Sequence, residues 1–179
     1  MYTPGYDDVP IPMVTPYGVW APHGTVTTGN PASTAWESAN RAVYHPVIIP
    51  CTVVAKRLWW ANGSTVSASY NLDVGLYRDA GYRPGAKIIS SGSTAQGTAS
   101  TIQFVDITDT ALAPGIVWLA LSCSSTSATV FRTSFSVVAR TLHIKYQEAS
   151  AVPLPTTATP AEAASTAVWH FGFSTTTIT

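Results

Sequence analysis

Residues 57–81, "RLWWANGSTVSASYNLDVGLYRDAG", decide the fold class. Between Val66 and Tyr77 the apolar positions Val66, Ala68, Tyr70, Leu72, Val74 and Leu76 alternate with Ser67, Ser69, Asn71, Asp73 and Gly75. A period of two is the pleat of a β-strand, and small polar residues at every second position predict one face against a core and one face in water. Just upstream, Asn62-Gly63 is the strongest short hairpin signal, because both residues accept a positive φ. Residues 51–76 are therefore predicted to form a β-hairpin, with "CTVVAKRLWW" as its first strand. Adjacent strand positions face opposite sides of a sheet. One of Trp59 and Trp60 is thus expected to anchor the core, and the other to lie exposed or at an interface.

The same grammar continues on both sides of this stretch. Strands are predicted at 101–107, 116–123, 129–135 and 137–146. The run "IVWLALSC" is apolar on both faces, as in a central strand covered on both sides. In the last run Leu142, Ile144 and Tyr146 share a face opposite Thr141, His143 and Lys145. "DITDTALAPG" reads as a short turn capped by Thr108 or Asp109, with Pro114-Gly115 reversing the chain. Pro153, Pro155 and Pro160 keep a loop at 150–161 extended and out of central strand positions. A closing strand at 166–173 then places Ala167, Trp169, Phe171 and Phe173 on one face.

Residues 1–40 differ in kind. Pro4, Pro10, Pro12, Pro16, Pro22 and Pro31 are interleaved with Tyr2, Tyr6, Tyr17 and Trp20. Proline removes backbone donors and pushes its predecessor toward extended conformations. An extended arm that lays these aromatics on another surface, for assembly or anchoring, is the expectation. Residues 41–179 form the second unit. The predicted fold class is all-β: an antiparallel two-layer β-sandwich of jelly-roll type with an extended Pro/aromatic N-terminal arm.

Charge narrows the function classes. Only 10% of the 179 residues are Asp, Glu, Lys or Arg, against 46% hydrophobic, and nine basic residues balance nine acidic ones. Such a chain has no long-range field to draw in nucleic acid. A neutral surface rich in Ser and Thr suits a protein held in a permanent assembly. The N-terminus has neither the basic n-region nor the apolar h-region of a secretory signal. No run reaches the ~18 to 20 apolar residues of a membrane span. Synthesis in a cytoplasm without membrane insertion is the expectation. Cys51 and Cys123 sit in apolar, strand-like contexts and read as buried free thiols; two isolated cysteines fall short of a zinc site.

Candidate chemistry is sparse. His23, His45, His143 and His170 lack metal-ligand spacing, and no G-x-S-x-G nucleophile elbow is present. Asp73, Asp79, Asp106 and Asp109 are accounted for by a wet strand face, turns and caps rather than by a calcium site or a glycosidase pair. Asn62-Gly63-Ser64 matches the glycosylation sequon, but the turn reading is preferred. No cofactor, metal or catalytic residue is expected. The remaining lead is aromatic: Trp59, Trp60, Tyr77 and Tyr82 are the candidates for contact with a partner or a glycan, against the plainer roles of core packing and subunit contact.

Residues 43–173 resemble a β-sandwich module that recurs in virion proteins of tailed bacteriophages, often tail-associated or fibre-like. The residues that carry this resemblance are "RLWW" with its Asn-Gly turn, "LDVGLYRDAG", a Gly/Ser-rich loop, "LAPGIVWLALS", and the later "AVPLPTTATP" followed by "FGF". The resemblance implies a non-enzymatic structural or host-recognition role and carries no individual site residue. The expected protein is a virion component, a homo-oligomer with a trimer favoured, which binds other virion proteins and contacts a host surface glycan. A capsid decoration or head-fibre protein and a free carbohydrate-binding module are the alternatives.

Overall fold

The computed structural model describes residues 19–20, 31–134, 144–149, 151–164 and 167–175. Tyr2, Tyr6, Tyr17, His23, His143 and most of the strand predicted at 137–146 lie outside these residues, and only the backbone of Trp20 is described.

The described residues contain strands and no helix. In chain order they are β1 (Val19–Trp20), β2 (Ala32–Ala35), β3 (Arg41–Ile49), β4 (Val53–Ala61), β5 (Asn71–Asp79), β6 (Pro84–Ser90), β7 (Thr94–Ala95), β8 (Ile102–Leu112), β9 (Gly115–Cys123), β10 (Thr129–Ser134), β11 (Ile144–Glu148), β12 (Ala161–Ala164), β13 (Ala167–Trp169) and β14 (Phe171–Ser174). The largest sheet has the order β12-β11-β3-β9-β5-β6, with β7 also pairing β5. A second sheet runs β1-β14-β4-β8, and a third runs β13-β10-β2. Every pairing is antiparallel. The fold is all-β and sandwich-like.

The core lies between these sheets. Val43 and Val47 of β3, Leu72, Val74 and Leu76 of β5, and Leu119 and Leu121 of β9 share one cluster with Leu58 and Trp60 of β4 and Phe171 and Phe173 of β14. Trp36 and Trp169 close one part of it, with ring centroids 4.6 Å apart. Trp36 falls inside the range expected to be an arm, and so does β2, which is hydrogen-bonded along β10. The backbone of Trp20 pairs with Phe173 at the edge of the second sheet.

The predicted 51–76 hairpin does not form. β4 pairs with β14 and β8, whereas β5 pairs with β6, β7 and β9, so the two strands belong to different sheets. Residues 64–70 are irregular, and the strand begins only at Asn71. Among the described residues the left-handed glycines are Gly81, Gly92 and Gly115; Gly63 is not one of them. Asn62 is instead a buried junction. Its Oδ1 accepts from Trp60 Nε1 at 2.7 Å, and its Nδ2 donates to Thr98 O at 3.1 Å and to Gln103 Oε1 at 3.2 Å. This burial also closes the sequon asparagine off from solvent.

Gly63 is required by close approach rather than by φ. A Cβ there would overlap Ser33 Oγ and the Thr129 side chain, while its own N–H donates to Thr129 O at 2.8 Å. Gly63→Ala is expected to lower stability by about 1–3 kcal/mol, the usual cost of forcing extra volume into a packed site. The loss is checked by the shift in urea midpoint at unchanged m-value.

Three other expectations are corrected. "DITDTALAPG" is not a capped turn: β8 runs unbroken to Leu112, and Asp106 and Asp109 point from it to pair with Arg57 and Lys56. The reversal does fall at Pro114-Gly115, but it carries the chain into the other sheet. The closing strand at 166–173 is two strands in two sheets, broken at His170, whose Nε2 lies 2.7 Å from Thr133 Oγ1. Cys51 is exposed in the β3–β4 connection, whereas Cys123 is buried, its thiol pushed up to about 11 by desolvation.

Candidate functional site

The face of β5 predicted to be wet is covered. Asp73, Gly75 and Tyr77 point away from the main core into a second cluster, in which Ala42, Tyr44, Trp118, Ala120 and Tyr146 pack beneath Ala151, Leu154 and Ala158. The Pro-rich loop is thus a strap across the outer face of the large sheet. Proline gives it few backbone donors, and the sheet's side chains meet what it offers. Asp73 Oδ2 accepts from Leu154 N at 2.9 Å, Lys87 Nζ donates to Leu154 O at 2.8 Å, and Tyr77 Oη donates to Pro155 O at 2.6 Å. Glu148 holds the far end through Tyr44 Oη at 2.7 Å and Thr159 Oγ1 at 2.9 Å. Burial raises the pKa of both Tyr44 and Tyr77 above the ordinary phenol range, so both stay neutral donors.

Beside the strap the β5–β6 turn reaches solvent. Ala80 N–H donates to Arg83 O at 2.8 Å, and Gly81 and Tyr82 both take left-handed backbone, with φ of 76° and 63°. Asp79 makes this conformation possible: its Oδ2 accepts from Gly81 N and Tyr82 N, each at 3.2 Å. Its Oδ1 accepts from Trp118 Nε1 at 2.8 Å and ties the turn to the sheet. Trp118 meets Tyr146 edge-on at 5.3 Å, and the Arg83 guanidinium lies 5.6 Å above the Tyr146 ring. A left-handed tyrosine costs on the order of 1–3 kcal/mol and persists only where its surroundings enforce it. Here that strain holds a ring 72% exposed.

The four aromatic candidates do not converge. Trp60 is fully buried in the core; Trp59, on the opposite face of β4, is only 7% exposed and donates from Nε1 to Phe173 O at 3.3 Å. The strand geometry holds, but both tryptophans are buried, where one was expected to be exposed or at an interface. Tyr77 is closed off beneath the strap, which leaves Tyr82 as the one of the four open to a partner. Sequence reasoning missed Arg83, Trp118 and Tyr146 as its neighbours. "RDAGYRPG" signals the turn, but nothing in it signals partners from β9 and β11.

Among the described residues no three His, Cys, Asp or Glu side chains gather as a metal site, and no helix is long and apolar enough to cross a membrane. Asp73 anchors the strap, Asp79 the turn, and Asp106 and Asp109 the two ion pairs on β8. No family model matches the chain, and no curated protein or solved structure matches it.

Proposed function

We propose that the chain is a non-enzymatic structural protein of a tailed-phage virion: a tail-associated sandwich of jelly-roll type that acts as a homotrimer in assembly and host-surface attachment. The observation that carries this reading is the character of the exposed surface. Ile48, Val54 and Ile102 stand 44%, 39% and 54% exposed on a chain whose charged residues total 10%. Ile102 lies on β8, which among the described residues pairs only with β4 and so ends its sheet. Apolar side chains at a sheet edge on a weakly charged surface suit a protein whose neighbours cover it. The resemblance of residues 43–173 to phage sandwich modules supports the same assignment.

Mass spectrometry of purified particles tests it. The chain is expected at structural copy number in mature virions, and its absence there would sink the reading. A free carbohydrate-binding module is the second reading, favoured by the exposed Tyr82. It requires the isolated monomer to bind sugar without belonging to any particle.

A further inference from the structure

The β5–β6 turn carries more than an exposed ring. Arg78 lies near the end of β5 and Arg83 in the turn itself, just before β6, and both are exposed. The ion pairs among the described residues, Lys56–Asp109 and Arg57–Asp106, involve neither. The adjacent carboxylate cannot serve them fully, because both Asp79 oxygens are taken up by Trp118, Gly81 and Tyr82. Arg83 is not a loose surface charge either: its guanidinium lies over the Tyr146 ring, which Trp118 braces in turn. Two of the nine basic residues of a neutral chain thus bracket a strained, outward-held tyrosine within six residues.

We propose that this turn is a binding site for an acidic polysaccharide, with a pyranose ring laid on Tyr82 and a carboxylate or similar anionic substituent held by Arg83, Arg78 adding local positive potential. The pieces have complementary tasks. An exposed aromatic face takes the C–H face of a sugar, and a planar guanidinium takes a carboxylate through two parallel hydrogen bonds. A turn backbone and a guanidinium already positioned by the fold lose little freedom on binding, which lets a small contact retain useful affinity in a repeated polymer. The proposal rests on the reading of the protein as a host-contacting virion component and names the class of surface polymer it touches.

Affinity electrophoresis of the full chain in native gels cast with alginate, a polyuronate, or with neutral dextran tests it. Retardation is expected in alginate and not in dextran. Tyr82→Asn keeps a residue that tolerates left-handed backbone but removes the ring, and Arg83→Gln removes the guanidinium; each is expected to weaken binding by about tenfold. Arg83→Lys keeps the charge without the fork and is expected to recover only part of the loss. Lys56→Gln, which removes the same charge elsewhere, is expected to leave retardation unchanged. Equal retardation in dextran, no retardation of the parent chain, or a Lys56→Gln loss as large as that of Arg83→Gln overturns the proposal. Because these gels use the isolated chain, failure here leaves the particle assignment to be decided by mass spectrometry, and absence from particles leaves the gel result intact.

Discussion

Trp60→Ala is expected to lower the unfolding free energy by about 3–5 kcal/mol, the range for deleting a fully buried large aromatic. Trp60 is completely inaccessible and packs in the cluster shared by β3, β5, β9 and β14, so its loss leaves a cavity that two sheets would have to close together. Its Nε1 also supplies the donor at 2.7 Å to the buried Oδ1 of Asn62. Removing the indole leaves that oxygen unpaired, which adds a desolvation penalty to the cavity. Trp60→Phe restores most of the volume but not the donor, so it separates the two contributions. Trp59→Ala is expected to cost less, because Trp59 lies outside that cluster and its indole hydrogen bond is long, at 3.3 Å. Urea unfolding followed at constant m-value checks this order. A Trp59 loss equal to or larger than the Trp60 loss would show that the core had been placed on the wrong face of β4.

Asp73→Ala is expected to release the strap. The Asp73 carboxylate accepts from Leu154 N at 2.9 Å and from the Ser91 and Ser90 hydroxyls at 3.2 and 3.4 Å, in a position with no access to water. Alanine leaves a buried backbone N–H without a partner, at a cost of about 1–3 kcal/mol, and residues 150–161 should become cleavable in limited proteolysis. Asp73→Asn should preserve the strap: its amide oxygen accepts from Leu154, and its NH2 donates to Ser91.

The same pair of variants reads the pH dependence. Desolvation raises the Asp73 pKa above its ordinary value, although the hydrogen bonds and the nearby Lys87 charge oppose the rise. Between the unfolded pKa, about 3.9, and the raised folded one, the native state binds more protons than the unfolded state. Stability is therefore highest below that window and falls as pH rises through the folded pKa. Asp73→Asn cannot ionise, so this part of the slope should vanish while the strap stays protected. A parent chain and an Asn variant with identical slopes would show that Asp73 ionises in the fold as easily as it does in water.

Much of the local structure was legible in the sequence. β9 at Gly115–Cys123 and β10 at Thr129–Ser134 fall where 116–123 and 129–135 were expected, because a continuous apolar run bounded by Pro-Gly and Ser/Thr is short-range information. The run from Leu72 to Leu76 does face the core on alternate residues. The hairpin failed because Asn-Gly reports that the backbone can turn, not which strand will be hydrogen-bonded next. In this chain β3, β4, β5, β8 and β9 pass back and forth between the two larger sheets, so consecutive strands often face one another across the core instead of pairing. Asp73 was misread for a related reason. A small polar position on a strand signals water only when nothing covers it, and its cover is Leu154, 81 residues away.

The exposed turn divides in the same way. Tyr82 is a candidate from sequence alone, since an aromatic inside "RDAGYRPG" has little local chain in which to bury itself. Trp59, Trp60 and Tyr77 carried the same compositional signal, and the packing of other segments against them decided otherwise. Composition and period-two patterning thus determined an all-β chain with weak charge, because residue type and spacing act over a few neighbours. The sheet each strand joins, the covering of the outer face by the Pro-rich strap, and which of the four aromatic candidates was left in solvent were decided by tertiary structure. Each depends on contacts between segments tens of residues apart, whose pairing is set by the fit of whole surfaces rather than by any local run of residues.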